Sequence, residues 1–480
     1  HFCLGTNCPD GADCFLNRLR RDAAASRLLI VNHHLLFSDL AIRRTGFGEV
    51  LPRYESVIFD EAHHVEQVAT TFFGFSFSRF QVIDLAGDLE RSAQAEQNRE
   101  KHTLLAPLAS RLLLAIDRFA DTFPRERGRF PLTADILEQP GLAAAQADVE
   151  SALAQVAQAL EPLAGGEGPW RPLLDRAVDL LDRLHRLLTP QLDDLPPEEI
   201  PFTYWFERSE RNLGLCATPV DVAMELQTTL FATVRHCVFS SATLVTGGNF
   251  GYFLQRLGLP SDTPTLSLAS PFDYASRTLA YVPAAPFPEP NAPGHAEAIH
   301  HAMDELIRHA QGRSLCLFTS FAAMDRAAAA LRNALPYPVL VQGEAPRRRL
   351  LDQFTRQTDS VLLAVASFWE GVDIPGESLS LVIIDKLPFE VPSDPVIMAR
   401  INRIKALGGN PFFDFQIPRA ILTLRQGVGR LMRSADDRGV IAILDTRLFT
   451  KGYGRQFLKS LPPSPLTREM DAVADFFRQQ

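Results

Sequence analysis

Short apolar runs bounded by polar residues alternate along this chain with long amphipathic stretches. Arg27-Leu28-Leu29-Ile30-Val31-Asn32 and Ser56-Val57-Ile58-Phe59-Asp60 have the pattern of short strands buried in a parallel α/β sheet. From about residue 80 to 200 the period becomes helical, and Leu173, Leu174, Val178, Leu181, Leu184 and Leu188 mark one apolar face. Pro196-Pro197 and Pro201 close that stretch, and Thr229 to Ser240 returns to strand character with Val234, Val238 and Phe239. A Pro-rich connector follows from Val282 to Pro293. Beyond it, strands are predicted at Leu315 to Thr319, Val361 to Ala364, Leu381 to Ile384 and Val440 to Leu444, with helical segments between them. The pattern predicts two α/β domains, the first interrupted by an all-helical insertion.

At 480 residues, 46% hydrophobic and 22% charged, the chain has room for roughly three globular domains. It has no apolar run of about 18 residues and no basic-then-apolar leader, so no membrane partner is expected. A net charge of -9 gives no general support to nucleic-acid binding. Two basic clusters run against that balance, Arg18, Arg20 and Arg21 and then Arg347, Arg348 and Arg349. Each reads either as a solvated face or as positive charge confined to a channel.

Six cysteines fall into two groups. Cys216, Cys237 and Cys316 sit among apolar neighbours and read as core. Cys3, Cys8 and Cys14 crowd into a loop with Gly5, Pro9 and Gly11, where thiolates could gather around one iron–sulfur or zinc centre. Such a centre needs four ligands and three are present; the even total also permits disulfides.

Asp60 and Glu61 emerge at the end of a predicted strand, where open α/β sheets collect ligands. There they could hold Mg²⁺ and orient an attacking water, since phosphoryl transfer asks mainly for positioning and charge neutralisation. An acidic pair in this position could equally cap a helix. Ser241-Ala242-Thr243, after another strand, would place hydroxyls beside the same site. In Gln426-Gly427-Val428-Gly429-Arg430-Leu431-Met432-Arg433 the two arginines lie three apart, a spacing that on a helix puts both on one face, able to reach a phosphate together. Gly427 and Gly429 leave room for close approach.

These motifs, with Val31-Asn32-His33-His34-Leu35-Leu36, Asp60 to His63, Leu317 to Phe321, Ser367 to Gly376, Lys386-Leu387-Pro388-Phe389 and Pro392 to Pro395, occur in the order found in the iron–sulfur DNA helicases of the DinG and XPD group of superfamily 2. The chain resembles that family over nearly its whole length, and most closely its bacterial DinG/YoaA-like branch. The resemblance implies two RecA-like motor domains, the first incomplete, with an iron–sulfur loop and a helical Arch insertion. The implied boundaries are 1–22 for the rest of the cluster domain, 23–79 and 203–268 for the first motor, 80–202 for the Arch and 269–480 for the second motor. The implied activity is ATP-driven 5′ to 3′ translocation on single-stranded DNA, with unwinding of forked or other duplex DNA, in the cytoplasm.

Residue by residue, the resemblance makes Cys3, Cys8 and Cys14 three ligands of a [4Fe–4S] cluster and Asp60 the Mg²⁺ ligand. It gives hydrolytic roles to Glu61, Gln426, Arg430 and Arg433. ATP contacts fall to His63, Ser241, Thr243 and Gly429, and Glu370, Gly371 and Asp373 couple nucleotide state to DNA grip. Thr319, Ser320, Phe368, Trp369 and Phe389 become candidate DNA contacts, the aromatic ones because stacking tolerates any base sequence.

The family's phosphate loop, ending in Gly-Lys-Ser or Gly-Lys-Thr, is not found: the five lysines follow Glu100, Asp385, Ile404, Thr450 and Leu458. That loop precedes the cluster loop in the family. Its absence and that of the fourth cysteine are both expected if the sequence starts late, in which case the chain as given should bind ATP poorly. A single-stranded nucleic-acid binder without motor activity, and a nuclease-linked relative, are the alternative readings.

Overall fold

Ser56–Phe59 forms a strand, β1, as its pattern predicts, in a computed structural model that describes residues 14–45, 48–95, 99–165, 169–189, 202–365, 368 and 376–479. The chain divides into two units. The first comprises residues up to Ser240 together with Arg256–Gly258 and Val391–Gly409; the second comprises Ser241–Gln255, Leu259–Glu390 and Asn410–Gln480.

In the first unit β1 runs parallel to β6 (His236–Phe239), with Phe59 opposite Phe239 and their rings stacked 5.1 Å apart. This sheet is not buried as expected, because Ile58 is 72% exposed. The run Arg27–Asn32 is not a strand at all, and Leu28 and Ile30 lie exposed. A strand needs a neighbour for its backbone groups, and among the described residues β1 and β6 pair only with each other. Asn32 instead caps the His33–Thr45 helix, its Oδ1 accepting from the Leu35 amide at 2.8 Å.

The stretch 80–202 is not all helical. β3 (Gly128–Pro131) joins β2 (Phe75–Ser78), β4 (Phe202–Arg208) and β5 (Leu213–Pro219) in an antiparallel sheet of order β2-β5-β4-β3. β3 escaped the pattern reading because it is a four-residue edge strand ending in Pro131, which an edge tolerates. Phe130 stacks on Phe206 across that edge, 5.3 Å between centroids. The helices Arg79–Ala95, Arg99–Asp121, Leu142–Leu160 and Trp170–Leu188 share one apolar core with this sheet, running from Phe77 to Ala217. On the last helix the buried face is Leu173, Ala177, Leu180, Leu184, Leu187 and Leu188; Leu174 and Leu181 lie at its edge and Val178 faces solvent. The predicted stripe holds at Leu173, Leu184 and Leu188, while in the middle of the helix Ala177 and Leu180 take the buried places predicted for Val178 and Leu181.

The second unit is built on a sheet in which every pair is parallel: β7 (Thr278–Tyr281), β8 (Ser314–Leu317), β9 (Val339–Val341), β10 (Val361–Ala364), β11 (Leu381–Ile384), β12 (Gly439–Ile443) and β13 (Leu466–Thr467), in the order β13-β7-β12-β11-β8-β10-β9. Of the four predicted strands, β10 and β11 appear with the predicted bounds and β8 and β12 with shifts of one or two residues. Helices cover both faces and form two cores, so β8, β10, β11 and β12 are buried on both sides and read as continuous apolar runs. The chain leaves β8 toward β9 and β10 on one side and returns through β11 and β12 on the other. The carboxyl ends of β8 and β11 therefore flank a topological switch point.

Candidate functional site

Asp60 and Glu61 form the turn that leaves β1, and both are exposed. The Ser240 amide donates to the Phe59 carbonyl at 2.8 Å, and the Ala62 amide donates to the Ser240 carbonyl at 3.0 Å, so the end of β6 grips both sides of the acidic pair. Glu61 is held at φ 49°, ψ 49°, a left-handed conformation that a non-glycine residue adopts only under constraint. The constraint turns the chain into the 3-10 turn Ala62–His64 and the Val65–Phe72 helix. His63 Nδ1 lies 3.3 Å from the Glu61 carboxylate, and the His63 and His64 rings are 4.0 Å apart.

His33 is a neighbour that the motif reading did not assign to this site. Its ring meets Phe59 edge-on at 5.6 Å. Burial lowers its pKa, against a hydrogen bond with the Asp60 backbone that raises it, so the imidazole is biased toward the neutral form. The signal was its place in Asn32-His33-His34, a polar cluster interrupting apolar sequence.

In the second unit, Thr243 is buried and its amide donates to Ser241 Oγ at 3.2 Å, closing a tight turn. Arg425 fixes this turn, giving Nη1 to the Val245 carbonyl at 2.9 Å and Nη2 to the Ala242 carbonyl at 3.1 Å. Gln426 follows Arg425 on the helix Ile417–Val428. Arg425 was missed, although it stands next to Gln426. Arg430 and Arg433 do not share a helical face: the helix ends at Val428, Gly429 caps it, and both arginines lie on the following turn. That turn is shaped by Asp437, whose carboxylate accepts from the amides of Arg433 at 2.5 Å and Ser434 at 2.7 Å.

At the switch point Ser320 caps the Phe321–Ala334 helix, accepting from the Ala323 amide at 3.3 Å. Asp385 is buried and accepts from the Thr319 amide at 3.1 Å, from Thr319 Oγ1 at 3.3 Å and from the Lys386 amide at 2.8 Å. Burial pushes its carboxyl up to about 7 against these hydrogen bonds and the Lys386 charge. Asp385, Lys386, Phe318, His295, His300 and Arg326 line a cavity of about 210 Å³. Asp385 went unnoticed although it follows an apolar strand just as Asp60 does.

Two expected stacking residues are placed otherwise. Phe368 is 1% exposed within a core, with the Arg347 guanidinium 5.1 Å from its ring centre, so it offers no open face to a base. Phe389 packs against Phe412, Tyr453 and Phe457 with centroids 5.7 to 5.8 Å apart. Trp369, Glu370, Gly371 and Asp373 lie outside the described residues, as do Cys3 and Cys8. Cys14 precedes the Phe15–Ala25 helix at its N-cap. Arg18, Arg20 and Arg21 lie exposed on that helix and Arg347, Arg348 and Arg349 on the Arg347–Arg356 helix. Of the cysteines read as core, Cys316 is fully buried and Cys216 and Cys237 are half-buried, burial raising the Cys216 thiol to about 12.

Acidic residues end a parallel strand of the first unit, an arginine-bearing turn lies on the second, parallel-sheet unit, and the fold that carries them is that of an XPD-type helicase. The fold agrees: the S. tokodaii Xpd4 structure matches 90% of this chain and 80% of its own at a TM-score of 0.56 and 15% identity, and an XPD helicase matches 90% and 72% at 0.53 and 15%. A model of the helicase C-terminal domain family matches residues 303–464. The ATP-dependent DNA helicase YoaA of Haemophilus influenzae is 36% identical over 481 residues, covering 100% of this chain and 73% of that protein. YoaA of Escherichia coli is 37% identical, covering 99% and 73%, and the ATP-dependent helicase DinG of Mycobacterium tuberculosis H37Rv is 33% identical, covering 96% and 68%. The chain belongs to the DinG/YoaA family of helicases. Among the described residues no helix is long and apolar enough to cross a membrane.

Proposed function

We propose that this chain works as an ATP-dependent DNA helicase that moves 5′ to 3′ along single-stranded DNA and opens forked or other duplexes. The observation that carries the reading is the constrained turn at Asp60 and Glu61, gripped on both sides by Ser240, in a chain more than one third identical to proteins named ATP-dependent DNA helicases. Holding a carboxylate in a costly backbone conformation is what preorganised phosphoryl-transfer chemistry needs.

In this reading Asp60 would hold Mg²⁺, which would supply charge neutralisation at the ATP phosphates. Glu61 orients the attacking water and takes its proton, with His63 holding the carboxylate. Gln426, Arg430 and Arg433 act on the phosphate charge. Ser241, Thr243 and Gly429 shape the nucleotide's surroundings, and Glu370, Gly371 and Asp373 link its state to DNA. Thr319 and Ser320, at the switch point, hold the DNA backbone, and Trp369 remains a stacking candidate.

Cys3, Cys8 and Cys14 would be ligands of a [4Fe–4S] cluster. Cys14, the described member of the three, stands at the N-cap of the Phe15–Ala25 helix. The helices and antiparallel sheet between Phe75 and Pro219 form the Arch in this reading.

The test is helicase assay of the natural full-length protein on duplexes with either a 5′ or a 3′ single-stranded tail, alongside DNA-stimulated ATP hydrolysis. Unwinding confined to the 5′ tail supports the proposal; DNA binding indifferent to ATP refutes the motor. A DinG of Bacillus subtilis, 28% identical and 54% covered by this chain, is named a 3′-5′ exonuclease, so degradation of the strand is scored in the same assay.

A further inference from the structure

A buried ionic knot sits one turn beyond the acidic motif. Glu66, on the first turn of the Val65–Phe72 helix, accepts from Arg256 at 2.7 Å and from Arg400 at 3.0 Å. Arg400 is 5% exposed and distributes its other nitrogens to Thr70 Oγ1 at 3.0 Å and to the Val220 carbonyl, just past β5, at 3.2 Å. Replacing such a buried network with well-packed apolar side chains often leaves stability unchanged or improves it, so stability alone is a weak reason for its presence. What it does supply is a fixed geometry, because a guanidinium with three directed partners leaves its helix one position and orientation.

Arg400 lies on the Pro395–Ala406 helix, which is part of the Val391–Gly409 segment that packs in the first unit although the chain on either side belongs to the second. At the start of that helix Asp394 caps the Val396 and Ile397 amides and, with its other oxygen, meets Arg129 of β3 at 3.6 Å. Arg129 also covers the Trp205 ring of β4 at 4.9 Å. One helix is therefore tied at Arg400 to the segment leaving the acidic motif and at Asp394 to the sheet of the insertion, six residues or about 9 Å apart along its axis.

We propose that Arg400 and Asp394 are positioning residues that couple ATP turnover at Asp60 and Glu61 to movement of the insertion, so that each hydrolysis event is converted into strand separation. The inference rests on the helicase reading, which the unaltered protein tests separately through its own hydrolysis and unwinding. Two variants of the natural full-length protein probe it. Arg400→Lys keeps the charge beside Glu66 but cannot hold three partners. Asp394→Asn keeps the helix cap, since Asn caps as well as Asp, and removes the charge facing Arg129.

The expected result is DNA-stimulated hydrolysis with kcat and KM within about twofold of the unaltered protein, and about tenfold fewer base pairs opened per ATP. The double variant should be no worse than either single one, because both cut the same connection. An unchanged number of base pairs per ATP, a parallel loss of hydrolysis and unwinding, or additive defects in the double variant would overturn the proposal. If Arg400→Lys fails to fold, Asp394→Asn, at a partly exposed position, decides the question.

Discussion

The Ala62 amide donates to the Ser240 carbonyl at 3.0 Å, so the residue that follows the acidic pair and the residue that follows β6 are joined directly by backbone. The bond involves no side chain, and side-chain replacement in the turn should leave its path intact. Glu61, held at φ 49° between these anchors, has a carboxylate that is mostly exposed.

Glu61→Gln is therefore expected to leave the thermal midpoint and ATP binding unchanged while lowering DNA-stimulated turnover by about 10² to 10⁴, the range for loss of a general base. Steady-state kinetics of the full-length protein checks this. Turnover retained in the Gln variant removes Glu61 from the base role.

Asp385 carries a pH dependence of stability. Its folded carboxyl is raised from 3.8 to about 7, so between those values the folded chain holds a proton that the unfolded chain has released. Its contribution is complete below the unfolded value and is lost as pH rises through about 7. At roughly 1.4 kcal/mol per unit the loss has an upper bound of about 4 kcal/mol. Asp385→Asn, a neutral mimic that can still accept from the Thr319 and Lys386 amides, should flatten the fall in thermal midpoint between pH 5 and 8, by about 1–3 kcal/mol at the upper end. An unaltered profile would mean that the carboxylate is charged throughout that range.

The Trp170–Leu188 helix gives a matched pair. Leu180→Ala should cost about 2–5 kcal/mol, as the loss of a buried Leu does, and Val178→Ala should stay within about 0.5 kcal/mol because that side chain faces solvent. Chemical denaturation of both variants checks this. The reverse order would restore the face predicted from the sequence pattern.

That correction shows where the sequence could be read and where it could not. β8, β10, β11 and β12 were legible because burial on both faces imposes unbroken apolar runs, and Asp60 because it ends a short apolar run in sequence, although β1 is not buried on both faces. Arg27–Asn32 has the same local pattern without becoming a strand, since pairing depends on a neighbour distant in sequence. β3 was invisible for the opposite reason: its register with β4 holds it in the sheet, and its own four residues carry little pattern. Arg425, Glu66 and Arg400 were missed because their roles arise from partners between 180 and 334 positions away, which no spacing rule within a motif can reveal.

Arg425 and Arg433 make opposite predictions from neighbouring positions. Arg425 is largely buried and spans the carbonyls of Ala242 and Val245, so Arg425→Leu leaves two acceptors unsatisfied and loosens the Ser241–Thr243 turn. Its expected effect is structural, a stability loss of about 1–3 kcal/mol for the orphaned acceptors, with hydrolysis and DNA binding falling together. Arg433 is exposed on the turn after the helix, and its backbone amide bonds Asp437. Arg433→Ala therefore preserves the turn and should leave the thermal midpoint and DNA affinity close to those of the unaltered protein. Hydrolysis should fall by about 10³-fold or more if the guanidinium meets charge developing on the phosphate. Thermal melts, DNA binding and ATPase rates measured on both variants separate the cases. Equal loss of rate and DNA affinity in Arg433→Ala would make it a structural arginine like Arg425.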